Sequence, residues 1–283
     1  MSAAPDNTVT SAAPATGQSQ SPRHVTHRLN GALATVTLTN PPQNRLTIQF
    51  GEELAEAADT ITRSDARAVL LTAEGDDFSW GGDFVPWADL SPRELRATFE
   101  RYWSAYEQFE KLPIPVVAAV QGLCFGGGFE LALRADVIFA AETARFGHPE
   151  QSLGILTLMG GIQRVAERAG RARAMEWAMT SEKVPARTMR EAGVINRVVP
   201  DERLRIEAEA FARRLASGPT LAHAAHKALV RAWATGGMAA ADRELFDLAI
   251  PLFASEDVQE GLASATAALR AGRPRPTLDF QGR

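Results

Sequence analysis

The segment Val120-Gln121-Gly122-Leu123-Cys124-Phe125-Gly126-Gly127-Gly128-Phe129-Glu130-Leu131 turns an apolar strand into a helix through consecutive glycines. Residues 115–120 before it read as a buried strand, and a helix is expected to begin at about Gly128. The glycines let the backbone turn sharply and let a ligand approach closely. The first N–H groups of the helix have no intrahelical partner and carry partial positive charge. With Glu130 beside them, such amides suit the stabilisation of an oxyanion. A glycine run on its own also suits a plain packing turn, so its meaning depends on what else the chain brings to it.

A second glycine site, Phe78-Ser79-Trp80-Gly81-Gly82-Asp83, also follows a buried strand, expected over residues 66–72. Taken alone it reads as a loop with a helix cap at Asp83. Further on come Phe146-Gly147-His148-Pro149-Glu150 and Gly160-Gly161-Ile162-Gln163-Arg164. Glu150 follows Glu130 by 20 residues, with a strand expected over residues 136–140 between them. That spacing returns the chain to the same end of a sheet and lets two carboxylates face one pocket. His148 reads as a packed or hydrogen-bonded imidazole.

Around these motifs strands and helices alternate. Residues 24–29 and 32–39 flank Asn30-Gly31, a type I′ hairpin signal. Helices are expected over residues 48–63 and 92–112, and a loop over residues 74–82. Residues 145–150 read as a short extended piece. From Gly160 the chain looks mainly helical, with a short strand at residues 196–199. Residues 201–271 read as helices broken at Gly218-Pro219 and Gly236-Gly237. The alternation argues an α/β fold. The apolar spacing of Leu245, Leu248, Leu252 and Leu262 marks surface that subunits could share.

Composition narrows the classes. The chain has 283 residues, 45% hydrophobic and 23% charged, with a net charge of −4. This disfavours a general nucleic-acid binder or a polybasic membrane binder. Cys124 is the one cysteine, so no internal disulfide forms, and it reads as a small buried residue. No His/Asp/Glu spacing suggests a metal site. The longest uncharged run, residues 112–129, is punctuated by Pro113, Pro115 and four glycines, which argues against a membrane span. Residues 1–22 lack the charged and apolar regions of a secretory signal and read as a disordered tail. The expected compartment is the cytosol.

Together the motifs resemble those of the crotonase (enoyl-CoA hydratase/isomerase) superfamily. The matching positions are Asn40-Pro41-Pro42 with Asn44, residues 78–83, Gly122 with residues 126–131, Asp136, Phe146-Gly147 with Pro149-Glu150, and Gly160-Gly161 with Gln163-Arg164. The resemblance implies a spiral of strand–strand–helix units over residues 23–200 and a C-terminal helical trimerisation region over residues 201–283. It implies an acyl-coenzyme A thioester as substrate, a homotrimer or dimer of trimers, and no cofactor beyond the coenzyme A that the substrate carries. By the same match, the backbone N–H groups of Gly82 and Gly127 form an oxyanion hole. One such donor is worth about 3 kcal/mol. Glu130 deprotonates the water that attacks the β-carbon, and Glu150 delivers a proton to the α-carbon. Retention of both glutamates favours hydration of a 2-enoyl thioester. Isomerisation, C–C hydrolysis, decarboxylation, or acyl-CoA binding without catalysis are the alternatives.

Other positions carry weaker expectations. Trp80, Trp87, Phe125 and Phe129 are candidates to line an acyl channel. Arg45 stands near the expected nucleotide end and is a candidate phosphate contact. Thr157-Leu158 replaces the Pro-Gly step usual in the hydratases. Leu158 keeps an N–H but adds bulk and resists positive φ, so a reshaped acyl pocket is expected. Arg164, Arg168, Arg171 and Arg173 read as a solvated helix face, with coenzyme A phosphates as the other reading.

Overall fold

The structure, a computed structural model, describes residues 22–283. The tail expected over residues 1–22 lies outside the described residues except for Pro22.

Strands β1 (Val25–Asn30) and β2 (Leu33–Leu38) pair antiparallel, with Asn30 opposite Leu33. The two-residue turn is therefore Gly31-Ala32, not Asn30-Gly31. Positive φ falls on Gly31 alone (59°), the pattern of a type II′ turn. Ala34, Val36 and Leu38, alternate residues on one face of β2, are buried, and seating them on the core face sets a register that places Asn30 in the ladder.

Helix α1 (Ile48–Thr62) is capped by Thr47, whose Oγ1 accepts from Phe50 N–H at 3.2 Å. It packs against α2 (Pro92–Glu110), which a capping box between Ser91 and Glu94 starts. Strands β3 (Ala68–Ala73) and β4 (Val116–Val120) are buried at every position, as parallel strands covered on both faces are. The main sheet continues through β6 (Val137–Ala141) to β9 (Arg197–Val199), in the order β1-β2-β3-β4-β6-β9. Every pairing from β2 onward is parallel.

A second sheet of three strands decides where the chemistry sits. Its members are β5 (Leu123–Phe125), β7 (Arg145–Gly147) and β8 (Val184–Pro185). In the sequence β5 reads as part of the glycine turn, and β8 is too short to show a period. β5 pairs parallel with β7, Cys124 opposite Phe146 and Phe125 opposite Gly147. That register lays the glycine turn beside the segment leading to Glu150.

The remaining helices are α3 (Gly127–Ala132), α4 (Gly161–Ala169), α5 (Arg171–Thr180), α6 (Ala186–Glu191), α7 (Leu204–Ala216), α8 (Thr220–Ala249) and α9 (Glu256–Arg270). α7 packs on β3 and β4. α8 breaks at Gly237, where φ is 69°. Its second half and the turn after it expose Phe246, Ile250 and Phe253. Among the described residues no helix is long and apolar enough to cross a membrane.

Candidate active site

The glycine turn is fixed from behind. Leu123 N–H donates to Asp77 Oδ1 at 2.7 Å, and Phe125 N–H donates to Ser79 O at 2.8 Å. Gly122 has φ 54°, and a β-carbon there would collide with the Asp76 carbonyl. Gly126 N–H then crosses to Gly147 O at 3.0 Å, and α3 begins at Gly127.

The second glycine site meets the first. Leu46 N–H donates to Gly81 O and Asp83 N–H to Leu46 O, each at 3.0 Å, which leaves Gly82 N–H pointing away from this ladder. Gly81 has φ 87°, and a β-carbon on it would lie 2.9 Å from Phe125 O and 3.3 Å from Gly127 N. Only glycine allows that approach. A β-carbon on Gly127 would stand 3.9 Å from Gly82 N. Among the described residues neither Gly82 N–H nor Gly127 N–H donates a hydrogen bond. The two glycines are held at their own carbonyls, in the next peptide unit along. Tyr106 Oη donates to Gly127 O at 2.8 Å, and Arg45 Nη1 donates to Gly82 O at 3.1 Å.

These amides open on a cavity of about 320 Å³. Arg45, Trp80, Gly82, Phe125, Gly127, Glu130, Glu150 and Leu158, the residues singled out from sequence, all line it. Trp87 lines it too, while Phe129 is buried in the core behind. Sequence reasoning did not mark Tyr102, Tyr106 and Phe99 as cavity walls; Tyr102 and Tyr106 read only as part of the apolar spacing of α2, and Phe99 was not singled out.

Glu130 is 1% exposed. Its Oε1 accepts from Met159 N–H and Gly161 N–H, both at 2.8 Å. Burial outweighs these donors and pushes its pKa up to about 7. Glu150 stands on the bare face of Gly126, whose β-carbon would lie 3.1 Å from Glu150 Oε1. Burial first, and the charge of Glu130 second, push Glu150 to about 7 as well. The charge of Glu130 opposes ionisation of Glu150, which suits one carboxyl to act as base while the other acts as acid.

The segment carrying Met159 and Gly161 is anchored by cations. Arg134 Nη2 donates to Met159 O at 2.7 Å, and Arg164 Nη1 donates to Gly160 O at 3.1 Å. Both guanidinium groups also bond Glu110. Arg168 Nη2 donates to Leu133 O at 2.8 Å. The expected solvated face therefore holds only for Arg171 and Arg173, which are exposed. Arg164 and Arg168, one helical turn apart, face inward and satisfy backbone carbonyls.

Arg45 also bonds Gln43 Oε1 at 2.8 Å and stacks 5.1 Å from the Phe84 ring centroid. Leu158 has no positive φ, because Gly160 takes the left-handed turn at 84°. Its side chain borders the cavity, and the Thr157 hydroxyl is buried without a partner.

Two buried carboxyls and two free amides line one largely apolar cavity, an arrangement that suits chemistry at an activated carbonyl compound. Comparison with known proteins makes this specific: the enoyl-CoA hydratase/isomerase family model matches residues 28–266, and the chain belongs to that family, the crotonase superfamily. A Mycobacterium tuberculosis protein named "Probable enoyl-CoA hydratase echA8" is 34% identical over 235 residues, covering 81% of this chain and 89% of its own. The 2,3-dehydroadipyl-CoA hydratase of Escherichia coli is 33% identical over 255 residues, covering 86% and 91%. A solved structure of an enoyl-CoA hydratase from Bacillus anthracis superposes with a TM-score of 0.82 at 26% identity, covering 92% of this chain and all of that one. These matches support an enzyme acting on acyl-CoA.

Proposed function

We propose that the protein is a lyase that adds water reversibly to the double bond of a 2-enoyl-CoA thioester. The observation that carries this reading is the meeting of two buried glutamates with the free Gly82 and Gly127 amides in one cavity. The thioester oxygen lies between the two amides. Glu130, ionised and pinned through Oε1, takes a proton from water through Oε2 as the water oxygen bonds to the β-carbon. The displaced π electrons move onto the thioester oxygen as an enolate, which the two amides stabilise without reorganising. Collapse of the enolate draws a proton from Glu150 to the α-carbon. Water has then added across the double bond, and the two glutamates have exchanged protonation states. Arg45 bonds the Gly82 carbonyl, and Trp80, Phe125 and Leu158 form the walls for the acyl–pantetheine chain. Coenzyme A enters as part of the substrate, and the reaction drawn calls on no separate cofactor.

The reading extends to a cytosolic trimer or dimer of trimers, in which the C-terminal helices from residue 201 onward supply the contact surface and residues 23–200 the active site. Its test is product analysis with crotonyl-CoA and longer 2-enoyl-CoA thioesters in isotopically labelled water. A 3-hydroxyacyl-CoA with label at C3 supports it.

One observation favours a second reading. Thr157-Leu158 puts a branched side chain at the cavity wall beside Glu130, where bulk competes with water. Double-bond isomerisation, C–C hydrolysis or decarboxylation would use the same oxyanion hole. A panel of acyl thioesters that yields only such products overturns hydration. Binding of acyl-CoA without turnover on any of them assigns a non-catalytic role.

A further inference from the structure

His148 is 3% exposed, and neither ring nitrogen has a hydrogen-bond partner among the described residues. Glu150 Oε2 is likewise buried without a partner. The two meet: His148 Nδ1 lies 4.0 Å from Glu150 Oε2. The ring is held in this orientation from two sides. Phe129 lies tilted against it, centroids 5.0 Å apart at 33°. On its other side a β-carbon at Gly161 would collide with His148 Cε1 and lie 2.8 Å from Glu130 Cγ. The imidazole therefore sits between the two glutamates, in space that Gly161 leaves open.

We propose that His148 is a positioning residue for Glu150, its Nδ1–H donating to Oε2 and so turning Oε1 toward the substrate. The proposal rests on the reading of Glu150 as the acid. The terminal carboxyl torsion of glutamate is soft, so a modest rotation closes the 4.0 Å gap. Oε2 is shut away from the cavity; a proton carried there has no path to the α-carbon. A donor fixed on Oε2 leaves the transferable proton on Oε1, the oxygen over Gly126. Burial pushes His148 down to about 4, so near neutral pH the ring is uncharged, with one N–H to give. Of the titratable groups around this pair, Glu130 on α3 acts on Glu150 through its charge, Tyr106 and Lys183 line the same cavity as Glu150, and Arg134 and Arg164, both engaged with Glu110, act on Glu130.

The experiment compares wild type, His148→Leu and His148→Gln by steady-state kinetics across pH and by carbon-13 NMR titration of labelled glutamate in the free enzyme. A hydrogen bond to the charged carboxylate lowers its pKa, so losing the donor raises it. His148→Leu is expected to lose about tenfold in kcat with KM nearly unchanged, while the Glu150 titration moves up. His148→Gln, which retains a donor, is expected to recover most of both. Leu at wild-type kcat with an unmoved titration overturns the proposal. So does equal impairment of Leu and Gln with an unmoved titration, which is the signature of packing alone. If wild type hydrates no enoyl-CoA but the Leu titration still shifts upward, the hydratase reading fails and the His148–Glu150 contact stands.

Discussion

Glu130 and Glu150 hold protons more tightly than an exposed glutamate for related but unequal reasons. Glu130 is desolvated yet keeps two backbone donors; Glu150 is desolvated, feels Glu130, and has one oxygen with no partner. Catalysis as drawn needs Glu130 ionised and Glu150 protonated. The rate should therefore rise with pH as the base deprotonates and fall as the acid does. Both lie at about 7, so kcat/KM is expected to follow a narrow bell centred near neutral pH, read by initial rates between acid and alkaline limits. The same shift costs stability. A carboxyl raised from 4.5 to about 7 by folding favours the native state at low pH, and that contribution is lost as pH rises through the folded value. Calorimetry should show Glu150→Gln melting above wild type at pH values beyond the folded pKa, with the advantage gone well below it. These two residues were legible because they stand in dense motifs with glycines. Tyr106 was not, since its hydroxyl serves a carbonyl and nothing in its spacing distinguishes it from an apolar helix position. The Met159 and Gly161 amides were not either, because a main-chain donor leaves no mark on residue type.

At the scale of elements, the start of α4 links the anchoring arginines to the acid–base pair. Gly161 gives Glu130 its second donor and leaves room for the His148 ring. Gly161→Ala is expected to destabilise the fold by about 1–3 kcal/mol through overpacking. It should lower kcat by about tenfold to a hundredfold as Glu130 is displaced. Thermal melts and kinetics on the same preparation check both. The helices followed from their apolar spacing, β3 and β4 from continuous apolar runs, and the positive φ at Gly31 from a turn signal that lay one residue off. β5 and β8 escaped notice because two or three residues cannot display alternation. Yet β5 against β7 is the pairing that carries Glu150 to the glycine turn. The inward face of Arg164 and Arg168 was hidden for a related reason: a charged side chain does not announce that a buried carbonyl awaits it.

Over the whole molecule, the α/β architecture and its family were readable because the motifs fall in order along most of the chain. Assembly is read less directly. Phe246, Ile250 and Phe253 stand exposed together at the end of α8, an apolar face of the kind subunits cover. Sedimentation velocity should find a trimer or a multiple of it, and Phe246→Glu should shift the population toward smaller species. The central claim is that Glu130 and Glu150 act as base and acid in hydration. Its most direct test is the rate of 3-hydroxybutyryl-CoA formation from crotonyl-CoA by wild type, Glu130→Gln and Glu150→Gln. The expected result is turnover by wild type and a loss of about 10²–10⁴-fold in kcat for each variant, with acyl-CoA binding retained. Equal rates in all three would contradict it.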